Sequence, residues 1–196
     1  FRRLFAEGTF NAAFIPSYTA AKLKNKKTGK IFADEILSLL ILILLFIVTL
    51  AEIFTPYLVY LIAPGFLTDD FKFNLAVELT RITFPFLLFV TLASFFSGIL
   101  NSHNKFAAAA AAPIILNIIL IASILISYFL ELDIAKLLSF GVTLAGIIQL
   151  IFLIFVTTKF YIPEIKFSLR ITSRAKFFFK KLLPSIFSSG VTQINI

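Results

Sequence analysis

Residues 106–130 read FAAAAAAPIILNIILIASILISYFL, an apolar run without a single charged side chain. A helix needs about 20 largely apolar residues, at about 1.5 Å each, to cross the roughly 30 Å hydrocarbon core of a bilayer. Three further stretches meet this requirement, at 36–63, 74–100 and 134–158. Two partial stretches flank them, at 4–21 and 182–196. The sequence therefore predicts an all-α fold, a polytopic transmembrane helix bundle.

The composition agrees with a membrane protein. The chain is 60% hydrophobic and 14% charged, with a mean hydropathy of +1.01, whereas apolar residues make up about 45–50% of soluble proteins. The formal charge of +8 comes from bases that lie in short stretches between apolar runs, as membrane insertion requires. Such stretches cannot form a nucleic-acid-binding groove, so we expect no nucleic-acid partner. Cysteine is absent, which excludes disulfides and thiol chemistry.

The charges of the loops alternate along the chain. The loops at 22–30, 101–105 and 159–181 are basic, and those at 69–72 and 131–136 are acidic. Because Lys and Arg accumulate on the cytoplasmic side, the basic loops are predicted to be cytoplasmic. The predicted organisation is a transmembrane bundle at 1–158, a basic cytoplasmic amphipathic linker at 159–181 and the start of a further helix at 182–196. The chain starts without Met and stops inside an apolar run, so we expect it to be an internal fragment.

The linker carries bases at a regular spacing. Lys166, Arg170 and Arg174 recur every four residues, which would place them on one helix face. This pattern predicts an interfacial helix that anchors the chain on anionic lipids, with a specific lipid head-group site as the alternative.

The first residues, Phe1-Arg2-Arg3-Leu4-Phe5-Ala6-Glu7-Gly8-Thr9-Phe10, contain ionisable groups next to an apolar helix. Such groups cost at least a few kcal/mol each in a membrane and persist mainly where they face a cavity. Arg2 and Arg3 point about 100° apart on a helix, so one of them is expected to face the cavity; the alternative is that both anchor the helix at an interface. Glu7 follows Arg3 by four residues, which favours a local ion pair over a coupling or gating carboxylate.

Four other ionisable side chains have expected roles that follow from their sequence neighbours. Glu78 and Arg81 are three residues apart and are expected to form a salt bridge. His103 is expected to be a solvated turn residue. Glu52 has no cation nearby in the sequence and is expected to lie towards the outer interface.

No set of residues points to catalysis. The chain has no Gly-rich phosphate loop, no nucleophile with a base at triad spacing, no HExxH and no acidic cluster for a divalent metal. We therefore expect a transporter rather than an enzyme, with no metal site and no cofactor.

The opening segment resembles the hallmark segment of the MurJ (MviN) lipid II flippases of bacterial cell-wall synthesis. Further segments of the chain are similar to that family, in the same order and at similar spacing. They are Ala13-Phe14-Ile15-Pro16, Ala63-Pro64-Gly65-Phe66, Arg81-Ile82-Thr83-Phe84-Pro85-Phe86, Leu92-Ala93-Ser94, Gly98-Ile99-Leu100-Asn101, Asn104-Lys105-Phe106, Ala112-Pro113 and Leu116-Asn117. The resemblance thus covers nearly the whole chain.

The resemblance implies a fourteen-helix exporter-type fold, built from two six-helix lobes and two further helices, of which this chain would supply most of the amino-terminal lobe. It also implies a multi-pass protein of the bacterial inner membrane that flips lipid II during peptidoglycan synthesis and so supports the cell wall and cell shape. By the resemblance, the substrate-binding residues would be Arg2, as a ligand of the lipid-linked diphosphate, with Arg3 and Glu7 beside it in the cavity.

Two other functions remain as alternatives. A drug or cation antiporter of the same superfamily would use an acidic and aromatic cavity around Glu7 or Glu52. A non-transporting scaffold would recruit cell-wall synthesis proteins through the basic segment at 159–181.

Overall fold

The computed structural model describes residues 9–165, 172, 173, 175–180 and 182. Over this part of the chain the structure is helical and has no β-strand. The helices are α1 (Thr9–Lys24), α2 (Lys26–Ile53), α3 (Thr55–Ile62), α4 (Asp70–Thr83), α5 (Phe86–Ser102), α6 (Phe106–Leu130) and α7 (Ile134–Thr157), with a 3-10 turn at Pro64–Thr68 between α3 and α4.

Four helical segments of the described chain are long and apolar enough to cross a membrane. They are Lys26–Ile53, Asp70–Ser102, Phe106–Leu130 and Ile134–Thr157, where the second comprises α4 and α5. The predicted all-α transmembrane bundle is therefore confirmed.

Helix α2 begins ten residues before the predicted apolar stretch at 36–63, because helix formation does not require an apolar sequence. Asn25 caps the helix, and its side chain accepts a hydrogen bond from the Lys27 amide at 2.9 Å. The first turns keep their lysines near solvent while Phe32 and Ala33 are buried. A criterion based on membrane length alone therefore misses this amphipathic beginning.

Two predicted helices are interrupted near a proline. The predicted span at 36–63 is divided at Phe54, before Pro56 in the first turn of α3. The predicted span at 74–100 is divided between α4 and α5, where Pro85 lacks the N–H that would continue the helical ladder. The amides of Leu87 and Leu88 instead donate three residues back, at 3.0 Å each. Proline thus determines where these helices bend.

The bundle is organised around α5, which packs against α1, α2, α6 and α7, while α7 also packs against α4. An aromatic cluster fills the space between α1, α2 and α5. Phe14 has no exposed surface, and its ring centroid lies 4.9 Å from that of Phe95 and 6.2 Å from that of Phe32. Phe178, near the end of the predicted linker, packs edge-on against the rings of Phe14 and Phe32.

Glycine permits the closest helix contacts. A Cβ atom at Gly98 of α5 would lie 2.8 Å from Cδ1 of Phe14 in α1, and one at Gly146 of α7 would lie 2.7 Å from Cδ2 of Phe86. Small residues allow backbones in a membrane bundle to approach closely, because apolar burial does not draw helices together there.

The loops lie at two ends of the bundle. At one end, which we call the basic face, residues 22–30, 101–105 and 159–165 meet, since Lys22 contacts His103 and Lys30 pairs with Glu164. At the other end, the acidic face, Lys136 forms an ion pair with Glu78 at 2.7 Å. The basic loops therefore lie together, as the charge alternation predicts.

Candidate functional site

The predicted substrate-binding residues, Arg2, Arg3 and Glu7, lie outside the described residues, directly before α1. The helix that continues from them is firmly placed in the bundle. Phe10, Phe14 and Tyr18 recur every four residues and form one buried face of α1. Neighbouring rings along this face stack with centroids 5.3 and 5.7 Å apart. This packing therefore fixes the position of α1 in the bundle.

A cavity of about 510 Å³ lies beside α1 and is lined by apolar side chains together with several neutral polar ones. Asn11 donates a 3.5 Å hydrogen bond to Ser94, while its Oδ1 is buried and has no hydrogen-bond partner among the residues that the structure describes. Gln149 from α7 reaches the same cavity. Pro113 also lines it and leaves the helical carbonyl of Ala109 without its usual donor. These groups suit ordered water or a neutral hydrogen-bonding group.

The basic face contains a second cavity of about 510 Å³. It is bordered by residues from α1, from the first turns of α2, from the turn after α5 and from the segment after α7. These are Tyr18, Lys22, Lys26, Lys27, Lys30, His103, Lys159, Phe160 and Tyr161. We call this the basic pocket. Its residues come from distant parts of the sequence, so no local motif reveals it.

His103 lies in the turn after α5, as expected, but it is partly buried in the wall of the basic pocket rather than fully solvated. Its ring centroid lies 4.9 Å from that of Phe160, and its Nε2 lies 3.3 Å from Nζ of Lys22. Burial and the neighbouring Lys22 charge both lower the pKa of His103. Both effects favour the neutral imidazole, at a position where it can still exchange hydrogen bonds.

Two adjacent carboxylates of α2 hold the segment that follows α7. Asp34 Oδ1 accepts hydrogen bonds from the Tyr161 hydroxyl at 2.7 Å and from the Glu164 amide at 2.9 Å. Glu35 accepts from the amide and hydroxyl of Thr172, at 2.5 and 2.6 Å. Burial and the hydrogen bond to Asp34 raise the pKa of Tyr161, so its hydroxyl remains a donor.

Sequence reasoning did not single out Asp34 and Glu35. The available signal is an acidic pair at the boundary between a lysine-rich loop and an apolar helix, where a buried carboxylate needs donors from elsewhere. The predicted interfacial face of Lys166, Arg170 and Arg174 lies outside the described residues. Residues 159–165 of the predicted amphipathic linker are not helical, and the Glu164 amide among them bonds to Asp34 of α2.

The expected salt bridge between Glu78 and Arg81 was wrong. Glu78 pairs with Lys136 at the start of α7, and Arg81 has no carboxylate within salt-bridge distance in the described chain. Packing of α4 against α7 brings Lys136 to Glu78, and this tertiary contact overrides the local spacing. Glu52 Oε1 is buried and has no hydrogen-bond partner in the same part of the chain, which does not match a fully hydrated outer position.

No group of three or more His, Asp or Glu side chains that could hold a metal ion occurs within the described ranges. The polar features of the bundle are thus a neutral interior cavity, a cationic pocket at the basic face and a pair of carboxylates that hold the following segment. This arrangement can bind and position polar groups.

Known proteins are similar to this chain in sequence and in helix arrangement. The whole chain, residues 1–196, matches the family model for lipid II flippase MurJ. A probable lipid II flippase MurJ of Rickettsia prowazekii (strain Madrid E) is 38% identical over 200 residues, which cover 100% of this chain and 38% of that protein. The corresponding protein of Rhizobium tropici is 39% identical over 202 residues, with coverages of 100% and 38%.

The fold agrees with a solved structure of lipid II flippase MurJ in an inward closed conformation. The TM-score is 0.75 at 26% sequence identity, and the match covers 99% of this chain and 39% of that one. The chain thus spans about two fifths of the length of these relatives. The agreement of sequence over all residues and of helix arrangement over almost all of them shows that the chain belongs to the lipid II flippase MurJ family.

Proposed function

We propose that this chain forms most of the amino-terminal lobe of a flippase that moves lipid II across the bacterial inner membrane by alternating access. The observation that carries the proposal is the family match over residues 1–196, supported by relatives that bear the name lipid II flippase MurJ. In alternating access, two lobes rock around a site near the middle of the membrane. Each lobe must then move as a unit.

The family relationship and the four membrane-length helices place this chain in the bacterial inner membrane as a multi-pass protein. Within the bundle, the aromatic cluster of α1, α2 and α5 and the close glycine contacts support a lobe that moves as one body.

Arg2 is the proposed ligand of the lipid-linked diphosphate. Its guanidinium group stays charged at all relevant pH values and can donate two parallel hydrogen bonds to a phosphate. Arg3 and Glu7 are proposed to lie beside it in the cavity, where their spacing of four residues favours a local ion pair. The buried face of α1 supports this proposal, because it supplies a fixed helix directly after the three residues.

Complementation tests the role of Arg2. The full-length protein with Arg2→Ala should fail to sustain growth of cells depleted of their own flippase, at a membrane abundance equal to that of the unaltered protein. Arg2→Lys retains the charge and loses the bidentate geometry, so it should complement only partly. The matched control is Lys105→Ala, a charge removal at the basic face that should complement fully. Growth with Arg2→Ala would overturn the assignment.

Ligand preference separates the flippase from an antiporter of the same superfamily. The purified full-length protein should retain lipid II in preference to cationic dyes, and the reverse preference would favour the antiporter. The family relationship favours the flippase.

A scaffold function is tested by transport itself. Purified full-length protein in liposomes should move lipid II without other proteins. If replacing the basic segment at 159–181 abolishes the function in cells while transport in liposomes persists, the scaffold function is favoured. Anionic lipids and cell-wall synthesis proteins remain proposed partners of that segment, on the basis of its charge.

A further inference from the structure

The basic pocket concentrates positive charge that the described residues neutralise only at Lys30. Among the residues that the structure describes, Lys30 pairs with Asp34 and Glu164. Four other lysines of the pocket have no carboxylate within salt-bridge distance in that part of the chain; they are Lys22, Lys26, Lys27 and Lys159. Like charges that border one cavity repel each other, so an anion in the cavity would lower the energy of the arrangement.

Side chains of the basic pocket are held in place by contacts with one another and with neighbouring segments. Lys22 is partly buried, with Nζ 3.5 Å from the carbonyl oxygen of Ser102 and 3.3 Å from Nε2 of His103. These contacts direct its ammonium group towards the turn after α5. His103 is itself held against Phe160, and Tyr161 is fixed by Asp34. The cations of the pocket are thus attached to three segments that the tertiary structure holds together.

The start of α2 adds to the positive potential. Lys26 and Lys27 lie in the first turn of a helix of 28 residues, and the amino-terminal end of a helix dipole favours anions. The side chain of Asn25 accepts a hydrogen bond from the Lys27 amide. The positive potential of the helix dipole at this end adds to that of the lysine side chains.

The chemistry selects the class of ligand. Several ammonium groups around one cavity provide many donors and no acceptors, which suits a phosphate group with its negative charge and its acceptor oxygens. A volume of about 510 Å³ accommodates a phosphate together with the group that it esterifies. The loops that form the pocket are those predicted to be cytoplasmic, where phosphate is available both as lipid headgroups and in solution.

We propose that the basic pocket binds a phosphate group at the cytoplasmic end of the bundle, separately from any ligand of Arg2. The same chemistry serves the headgroup of an anionic phospholipid and free phosphate or diphosphate. The proposal depends on the described geometry of the pocket and does not require that the protein transports lipid II.

A pair of double variants tests the pocket in the full-length protein. Lys22→Gln with Lys159→Gln removes two charges that border the pocket. Lys24→Gln with Lys105→Gln removes two charges from the same face that do not border it, and serves as the matched control. Both pairs change the net charge equally, so a general attraction to anions should weaken equally in both. Thermal unfolding without phosphate checks that each variant is folded, and the single variant Lys159→Gln, at an exposed position, provides a second test.

Two arms distinguish the sources of phosphate. In the first, protein in phosphatidylcholine nanodiscs is titrated with inorganic diphosphate by calorimetry. In the second, protein in detergent is titrated with short-chain phosphatidylglycerol, with phosphatidylcholine as the zwitterionic comparison, and bound lipid is counted by native mass spectrometry. The pocket double variant should weaken binding at least about tenfold in one arm, the equivalent of about 1.4 kcal/mol, while the control pair changes it less than about threefold. The arm that responds identifies the source. Equal weakening by both pairs, or no binding in either arm, would overturn the proposal.

Discussion

Tyr161 donates a 2.7 Å hydrogen bond to Asp34, a residue 127 positions earlier in the chain. Both residues are buried, and the Asp34 side chain also accepts from the Glu164 amide and from Lys30. A carboxylate inside a protein is stable only where donors surround it. This contact therefore attaches the segment after α7 to the beginning of α2.

Removing the Asp34 carboxylate should release this segment. Asp34→Ala leaves the buried hydroxyl of Tyr161 without its acceptor, and an unsatisfied buried group costs about 1–3 kcal/mol. We expect a lower unfolding temperature and faster amide exchange across 159–165, measured by hydrogen exchange with mass spectrometry. Tyr161→Phe removes a single hydrogen bond and should cost about 1 kcal/mol. Unchanged exchange at the Glu164 amide in Asp34→Ala would contradict the attachment.

His103 should make the protein sensitive to mild acid. Burial and Lys22 lower its pKa below the ordinary value of 6.5, so the folded state binds fewer protons than the unfolded state as pH falls. Its contribution to stability is therefore present above pH 6.5 and is lost as pH decreases through the lowered pKa. We expect the thermal unfolding midpoint of purified protein to fall over this range.

His103→Gln is the matching variant, because glutamine retains hydrogen bonding and does not titrate. The fall in midpoint below pH 6.5 should be smaller in this variant. Identical pH profiles for the two proteins would show that other groups cause the acid sensitivity.

Gly98 should be far less tolerant of a methyl group than Gly65. A Cβ atom at Gly98 would meet the side chains of Asn11 and Phe14, whereas one at Gly65 has nothing within 4 Å. Gly98→Ala should therefore destabilise the protein by about 1–3 kcal/mol through overpacking. Gly65→Ala, the matched control, should change stability by less than about 0.5 kcal/mol. Unfolding in detergent measures both, and equal effects would refute the close contact between α1 and α5.

Glu78 should couple energetically to Lys136 and not to Arg81. The Lys136 ammonium lies 2.7 Å from Glu78 Oε1, and the side chains are 43% and 48% exposed. A pair this exposed contributes about 0.2–1 kcal/mol. Double-mutant cycles with Glu78→Gln, Lys136→Gln and Arg81→Gln measure both couplings by thermal unfolding. A larger coupling to Arg81 would restore the local pairing expected from the spacing.

Sequence patterns predict the spans well because membrane insertion depends on local composition. The run at 106–130 coincides with α6, and the run at 134–158 ends one residue beyond α7. The ends of the helices were less well predicted where a capping side chain or a proline determines them. The capping side chain of Asn25 starts α2 ahead of its apolar part, and Pro85 separates α4 from α5. Neither effect changes the hydropathy of the segment.

The partners of polar side chains were predicted less well, for a different reason. Glu78 has a cation three residues away in the sequence and binds one on another helix instead. His103 was expected to be solvated and lies against Lys22 and Phe160. Asp34 and Tyr161 carry no local signal that they meet. Each pairing depends on which helices are neighbours, and spacing along one helix does not contain that information.

The sequence by itself determined that this protein lies in a membrane, in which order its helices follow and which loops share a face. These properties follow from the cost of placing polar groups in hydrocarbon and from the distribution of Lys and Arg, both of which are local. Only the tertiary structure decided that lysines from two distant segments border one pocket together with His103 from a third, and that Asp34 holds the chain beyond α7. The physical reason is that charges interact through space, so helix packing brings together groups that sequence separation keeps apart.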